Sequence, residues 1–89
     1  MTLEFPNQSR SYDDVRNRIR FWGYDSAIEI SFFVDANALR KIDSRAAASE
    51  AGNLAVFDSA RERIHSVARE IYRRSGKGTY TCTLSAEDF

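Results

Sequence analysis

The chain of 89 residues is long enough for one small domain, which we expect to span residues 1–89, and it leaves no room for a second hydrophobic core. Hydrophobic residues make up 43% of it and aromatic residues 12%, so the composition excludes a disordered chain. The formal net charge is zero, from 13 basic and 13 acidic residues, which counts against a protein dedicated to nucleic acid but leaves room for a local basic patch.

The N-terminal segment predicts a short strand followed by a loop. Leu3 and Phe5 alternate with polar residues, and Pro6, which cannot donate a hydrogen bond to a neighbouring strand, ends the run. The next stretch, NQSRSYDD, is rich in polar side chains that bond their own backbone in turns. We therefore expect a loop over residues 7–14.

Two runs with a period of two predict a β-hairpin formed by residues 15–24 and 27–34. A turn centred on residues 25–26 gives two antiparallel apolar pairs, Phe21 with Ile30 and Ile19 with Phe32. We expect these four side chains to be buried beneath a helix. Val15 and Asn17 belong to the same face of the first predicted strand.

The middle of the chain predicts one short and one long helix. Asp35 is a good N-cap for the short helix ANALRKI, and residues 43–53 predict a linker with some helical turn. The long helix is predicted from near Leu54, or one turn earlier, to Arg74, with two glycines just beyond its end. Its apolar stripe recurs at steps of three and four residues: Phe57, Ala60, Ile64, Val67, Ala68 and Ile71.

A last strand is predicted in TYTCTL, residues 79–84, with Tyr80, Cys82 and Leu84 facing inward. The element order is then β-β-β-α-α-β. One apolar helix stripe and one apolar sheet face must cover each other. We therefore predict an α+β fold, a two-layer sandwich with a four-stranded, mainly antiparallel sheet and one long and one short helix on one face.

Four segments, LEFPN, IRFWG, IEISFFVDANAL and YTCTLSAEDF, resemble the short, uncharacterised bacterial proteins grouped as domain of unknown function 1488. The resemblance runs from Leu3 to Phe89, and its motifs are structural: strand, hairpin, helix cap, helix and strand. It implies a small free-standing bacterial α+β domain and supplies no catalytic residue.

The stretch RNRIRFW carries the main candidate binding site. Its three arginines and its tryptophan fall in one phase of the predicted strand, on the side away from the helices. With two further aromatic residues, the candidate binding residues are Arg16, Arg18, Arg20, Trp22, Tyr24 and Phe33. One interpretation is a nucleic-acid surface, on which the arginines contact phosphates and the rings stack on bases.

The alternative interpretation is that these charges are satisfied within the hairpin. In the predicted register Arg18 lies over the ring of Phe33, and Glu29 neutralises Arg20 across a diagonal. A net charge of zero also provides no long-range field that would recruit a polyanion. We therefore favour the outer side of a strand over a phosphate ladder.

The aromatic side chains on this outer side predict a surface that another molecule covers. A cluster of Trp22, Tyr24 and Phe33 pointing away from the helices exceeds the single exposed ring that is usual for a monomer. Trp, Tyr and Arg are also enriched at interface hot spots. We predict a protein partner, most simply a second copy in a homodimer; nucleic acid is the alternative partner, and a terminal segment folded over the rings is the other explanation.

No pattern in the sequence points to catalysis or to a metal. His65 is the only histidine, Cys82 alternates into the inward side of a strand, and Asp13 and Asp14 belong to a predicted turn. Gly-rich phosphate loops, nucleophile elbows and zinc-ligand spacings are missing from the sequence. We expect a non-enzymatic module without a cofactor or a metal.

The sequence also predicts the compartment. A single cysteine rules out an intramolecular disulfide, and no apolar run approaches the roughly 18–20 residues that a membrane span needs. The N-terminus lacks the basic and then apolar pattern of a signal peptide. We expect a cytoplasmic protein that makes no contact with a membrane.

Overall fold

The computed structural model describes residues 3–6, 10–44, 49–75 and 80–89 of the chain. Five β-strands, three α-helices and a short 3-10 turn lie within them. The strands are β1 (Leu3–Glu4), β2 (Arg10–Asp13), β3 (Arg18–Asp25), β4 (Ile28–Asp35) and β5 (Thr81–Leu84). The helices are α1 (Ala36–Ile42), α2 (Glu50–Ser59) and α3 (Arg61–Ser75), and the 3-10 turn is Ala86–Asp88.

The strands form one mixed sheet with β3 and β4 at its centre. These two strands pair antiparallel over eight residues each. Both β1 and β2 pair antiparallel with β3, and β5 lies parallel to β4 on the other side. The α+β class is therefore confirmed, but the described sheet has five strands where the sequence predicts four.

The additional strand is β2, which lies in the stretch predicted as a loop. Residues 7–9 of that stretch fall outside the described residues, but β2 pairs with β3 from Arg10 opposite Phe21 to Asp13 opposite Arg18. As an edge strand with one neighbour, β2 tolerates polar side chains on both sides. It therefore lacks the apolar alternation by which a half-buried strand is recognised in a sequence.

The predicted hairpin exists, but its first strand begins at Arg18 rather than at residue 15. Residues 14–17 form a turn, in which Val15 is 84% exposed and Arg16 lies outside the strand. The Asp13 carboxylate causes this change, because its Oδ1 accepts the backbone N–H groups of Val15 and Arg16 at 3.1 and 3.2 Å. An Asp side chain bonded in this way closes a turn and stops the strand.

The pairing register of the hairpin differs by two positions from the predicted one. Ser26 and Ala27 form the turn, and Phe21 lies opposite Phe32. The φ angle of Ser26 is 57°, the left-handed conformation that two-residue hairpin turns require. Because a shift of two positions keeps every side chain on its face, the four inward residues are buried as predicted. They are Ile19, Phe21, Ile30 and Phe32.

The short helix is confirmed, whereas the long one is divided in two. Asp35 caps α1, since its Oδ1 accepts the N–H of Ala38 at 2.8 Å. The predicted long helix is interrupted at Ala60, which has φ −104° and ψ 16° and separates α2 from α3. Alanine is the strongest helix former, so this break leaves no signal in the sequence.

The first half of the divided helix begins one turn before Leu54. Ser49 is its N-cap, with the Ser49 Oγ accepting the N–H of Gly52 at 3.0 Å. The helix therefore takes in part of the segment 43–53 that the sequence predicts as a linker. Residues 45–48 of that segment, and the glycines predicted beyond the end of the long helix, lie outside the described residues.

The break between α2 and α3 is tied to the edge of the sheet by Asp58. Its carboxylate accepts Arg10 of β2 at 2.9 Å for both oxygens and Arg61 of α3 at 2.8 Å. The hydrogen bond from Arg10 lowers the pKa of Asp58, as do the charges of Arg10 and Arg61, against an opposing effect of burial. One carboxylate thus holds two helices and an edge strand in place.

The last strand is shorter than predicted. Cys82 and Leu84 are buried as expected, but the strand begins at Thr81, and Tyr80 is 58% exposed rather than inward-facing. The backbone carbonyl oxygen of Tyr80 accepts the N–H of Ser31 at 2.9 Å. Thr79 lies outside the described residues.

The helices pack on one side of the sheet, which we call the inner face. Its core contains aromatic side chains from strands and helix, among them Phe21, Phe32 and Phe57. Phe5 closes this core by lying over Gly23, where a Cβ atom would come within 2.9 Å of the Phe5 ring. Only glycine allows that approach. His65 of α3 then stacks on Phe5 with 3.9 Å between the ring centroids.

Candidate functional site

The opposite side of the sheet, which we call the outer face, carries most of the candidate binding residues. The strand registers place its side chains in neighbouring rows, and none of them is fully buried. Its central members are Ser11, Asp13, Arg18, Arg20, Trp22, Tyr24, Glu29, Ser31, Phe33, Thr81 and Thr83, with Glu4 and Asp35 at its margins.

Arg18 is held by a carboxylate on one side and by an aromatic ring on the other. Its Nε donates to Asp13 Oδ2 of the neighbouring β2 at 3.3 Å. Its guanidinium carbon lies 3.7 Å from the centroid of the Phe33 ring on β4. The predicted contact of Arg18 with Phe33 is thus present, although in the observed register it runs along a diagonal.

Arg20 has three partners on the same face. Its Nη2 donates to Ser31 Oγ at 3.1 Å and lies 3.7 Å from Glu29 Oε1. Its guanidinium carbon is 4.7 Å from the ring centroid of Trp22, two positions along the same strand. The predicted neutralisation of Arg20 by Glu29 is therefore present, and the guanidinium also covers part of the indole.

Tyr24 completes the row by bonding to the same acidic residue. Its hydroxyl donates to Glu29 Oε2 at 3.2 Å, directly across the strand pair. This hydrogen bond and the negative charge of Glu29 raise the pKa of the Tyr24 hydroxyl above its ordinary value. Glu29 thus joins Arg20 and Tyr24 into one continuous network.

Asp13 has a role on this face that the sequence did not reveal. Besides closing the turn after β2, it supplies the carboxylate that neutralises Arg18. Burial tends to raise the pKa of Asp13, but the N–H groups of Arg16 and Val15 and the Arg18 guanidinium together hold that pKa below its ordinary value. The turn-forming character of Asp was the only available signal, and it said nothing of Arg18.

The structure brings together all but one of the candidate residues. Arg18, Arg20, Trp22, Tyr24 and Phe33 share the outer face, while Arg16 lies in the turn and does not extend their row. The prediction that Arg16 shares the strand phase of Arg18 and Arg20 is therefore wrong, because the turn closed by Asp13 separates Arg16 from the strand. The two remaining guanidiniums are each paired with a carboxylate.

The charge balance of the outer face follows from these pairs. Two arginines stand against Asp13 and Glu29 in the centre, and the marginal carboxylates are Glu4 and Asp35. The centre is thus neutral, and the whole face carries more carboxylates than guanidiniums. A phosphate-binding groove needs the opposite excess.

His65, Cys82 and Tyr72, which lie outside the outer face, also have shifted pKa values. Burial, followed by the charges of Arg61 and Arg69, lowers the pKa of His65 to about 4. Burial raises the pKa of the Cys82 thiol, so this residue stays protonated at neutral pH. The Tyr72 hydroxyl donates to Asp25 Oδ2 at 2.7 Å, and this bond raises the pKa of Tyr72 to about 12.

Among the residues that the structure describes, no group of three or more His, Cys, Asp and Glu side chains is arranged to hold a metal ion. None of the three described helices is both long and apolar enough to cross a membrane.

Comparison with known proteins gives one match. The family model described as Protein of unknown function (DUF1488) matches residues 3–84, nearly the whole chain. No curated protein and no solved structure matches the chain. The matched residues run from the beginning of β1 to the end of β5 and include β3, the strand that carries both arginines of the outer face.

Proposed function

This chain belongs to the DUF1488 family, as its segments implied, and we propose that it is a non-enzymatic protein-interaction module that pairs with a second copy of itself through the outer face. A second copy suits the outer face because the charges of that surface complement one another.

One observation carries the proposal: the outer face combines clustered aromatic side chains with charges that are already paired. Trp22, Tyr24 and Phe33 lie on a sheet face that the described helices do not cover. Arg18 and Arg20 are bonded to carboxylates and lie over rings. Aromatic and Arg side chains in a neutral patch are typical of the centre of a protein interface.

The order of these residues suits a twofold contact. Arg20 and Tyr24 lie on β3, level with Phe33 and Glu29 on β4. A twofold axis along the strands, between β3 and β4 in the plane of contact, would place β3 of each copy over β4 of the other. Tyr24 of one copy would then meet Glu29 of the other, and Arg20 would meet the ring of Phe33.

The size of the face sets the expected affinity. Two central strands of eight residues and two flanking strands of four give an area of roughly 400 Å² per copy, at about 3.4 Å per residue and about 4.8 Å between strands. Two such faces lie below the roughly 1,200–2,000 Å² of a standard interface. We therefore expect a reversible dimer with a dissociation constant on the order of micromolar to millimolar.

The test is the molar mass as a function of concentration, measured by sedimentation equilibrium or light scattering up to about 1 mM, a range that covers the expected affinity. Wild type should pass from monomer to dimer across this range. Trp22→Ser should keep the fold and shift the equilibrium towards monomer, because it removes the largest ring of the outer face. The matched control is Tyr80→Ser, which removes an exposed ring outside that face.

Two results would count against self-association. A wild-type protein that stays monomeric throughout, or one in which Tyr80→Ser dissociates the dimer as strongly as Trp22→Ser, contradicts the proposal. A labelled single-stranded oligonucleotide, titrated at low and at physiological salt, tests the alternative partner. Micromolar binding at physiological salt that Arg18→Ala and Arg20→Ala weaken would assign the outer face to nucleic acid instead.

A further inference from the structure

A polar pocket of about 390 Å³ lies at one end of the sheet, between the turn after β2, the start of α1 and the start of α2. It shares only Asp35 with the outer face. The side chains that matter for its chemistry are Tyr12, Arg16, Asn17, Asn37, Arg40 and Asn53. Two guanidiniums, three amides and a hydroxyl therefore surround a space large enough for a small molecule.

No described carboxylate neutralises either arginine of this pocket. Within the described part of the chain Arg16 and Arg40 form no ion pair, in contrast to Arg18 and Arg20 on the outer face. Arg40 donates a hydrogen bond to the amide oxygen of Asn37. Both guanidiniums thus keep N–H donors for a ligand, and their fork of donors suits a group with two oxygens.

The turn that carries Arg16 is fixed rather than loose. Asp13 accepts its backbone N–H, and Asn17 adopts a left-handed conformation with φ 50°. That conformation is held from two sides, because the N–H of Ala36 donates to the Asn17 carbonyl at 2.9 Å and the Tyr12 hydroxyl donates to Asn17 Oδ1 at 3.2 Å. The turn therefore presents Arg16 and Asn17 at the pocket in one arrangement.

The floor of the pocket contains a buried amide. Asn53 is only 3% exposed and is the one buried polar residue among those described. Its Nδ2 donates to the Tyr12 hydroxyl oxygen over a long 3.4 Å. A primary amide has two N–H donors, and this bond occupies one of them. A ligand oxygen can accept the other, as a buried polar group favours a partner.

The charge of the pocket selects the ligand. Among the described residues that line it, Asp35 alone has a carboxylate, and the Oδ1 of Asp35 already accepts the N–H of Ala38 at the start of α1. Two guanidiniums against one carboxylate leave a positive balance. We propose that this pocket binds an oxyanion, the phosphate or carboxylate group of a small molecule, between Arg16 and Arg40 with Asn53 beneath it. The proposal is independent of self-association through the outer face.

The experiment is a titration of the full chain with inorganic phosphate and, separately, with malonate, each at constant ionic strength against chloride. Backbone amide shifts in NMR spectra should saturate for Arg16, Asn17 and Asn37. The probe that binds more tightly identifies the oxyanion source. Arg16→Gln and Arg40→Gln should each weaken binding about tenfold, as expected for loss of a charge-assisted hydrogen bond.

Two further variants separate a site from a general charge effect. Lys41→Gln removes the same charge one residue from Arg40 but outside the pocket lining, so affinity should stay within about twofold. Asp35→Asn keeps the helix cap, because Asn caps as well as Asp, and it should tighten binding by about threefold or more. Shifts that stay linear with both probes, or a Lys41→Gln variant weakened as much as Arg40→Gln, would overturn the proposal.

Discussion

The two faces of the sheet contain the same kinds of side chain, yet the described helices cover only the inner face. On the inner face, Phe57 and Phe5 lie beneath Arg61 and Arg69, with guanidinium carbons 5.0 and 5.1 Å from the ring centroids. On the outer face, Arg18 lies over Phe33 at 3.7 Å. Arginine therefore covers aromatic rings on both sides of the same sheet.

The two faces differ in how much of the cover over the aromatic rings comes from arginine. On the inner face the helices already bury the rings, and the guanidiniums only border them. On the outer face the guanidiniums are themselves the cover, and Trp22 and Phe33 stay partly accessible. A flexible charged side chain shields a ring without fixing it as a helix does. The rings of the outer face therefore remain more accessible than those of the inner face.

The sharpest test of this comparison uses two adjacent phenylalanines of β4. Phe32 is completely buried on the inner face, and Phe33 lies partly accessible on the outer face. Phe32→Ala should lower the free energy of unfolding by about 3–5 kcal/mol, since it leaves a cavity in the core. Phe33→Ala should cost about 1 kcal/mol or less. Chemical denaturation measures both, and equal losses would mean that the outer face is a second core.

The next largest effect concerns His65, the titrating group of the inner face. Its pKa in the folded state is about 4, below its ordinary value of 6.5, so the folded protein favours the neutral ring. As the pH falls from about 6.5 to about 4, His65 becomes protonated in the unfolded chain but stays mostly neutral in the folded chain. His65 should therefore reduce stability by about 2–3 kcal/mol across that window, with no effect above it.

The matched variant is His65→Phe, which keeps a ring stacked on Phe5 but cannot be protonated. The difference in unfolding free energy between wild type and variant should change with pH between about 7 and 4. Carboxylates with lowered pKa values, such as those of Asp58 and Glu70, also cost stability in acid, but they do so equally in both proteins. A difference that does not depend on pH would show that folding leaves the pKa of His65 unchanged.

The smallest expected effect belongs to the outer face. Glu29→Gln removes the negative charge and one of the two acceptor oxygens that Arg20 and Tyr24 share, both on a solvent-accessible surface. Because exposed ion pairs contribute little, we expect the unfolding free energy to change by about 0.5 kcal/mol or less. The pKa of the Tyr24 hydroxyl should nevertheless fall towards its ordinary value, as NMR titration can follow. An unchanged pKa would mean that the Tyr24–Glu29 bond does not persist in solution.

Sequence patterns were sufficient to predict which side chains of the hairpin face inward, but they did not predict its pairing register. A shift of two positions leaves the alternation of Ile19, Phe21 and Phe32 unchanged, so no hydrophobic pattern can detect it. The observed turn leaves Asp25 at the end of β3, where it accepts the hydroxyl of Tyr72 from α3. That contact joins residues far apart in the chain, so local turn preferences cannot predict it.

The outer face was predicted more successfully than its boundaries. The contacts of Arg18 with Phe33 and of Arg20 with Glu29 follow from strand periodicity, which holds once the strand exists. The place of Arg16 depended on a single hydrogen-bonded turn at Asp13, and the pocket depended on the approach of Asn53 from a helix that the sequence only partly located. Sites that join separate elements lie beyond what periodicity can show.

The parallel pairing of β5 with β4 has a consequence for the newly made chain. Phe32 of β4 pairs with Cys82 of β5, and all three helices lie between them in the sequence. When only the hairpin has emerged from the ribosome, the nascent chain exposes an unpaired β4 edge and the apolar inner face beside it. We expect such a nascent chain to be prone to aggregation until the helices and β5 have been synthesised, because the sheet is completed only after most of the chain has emerged.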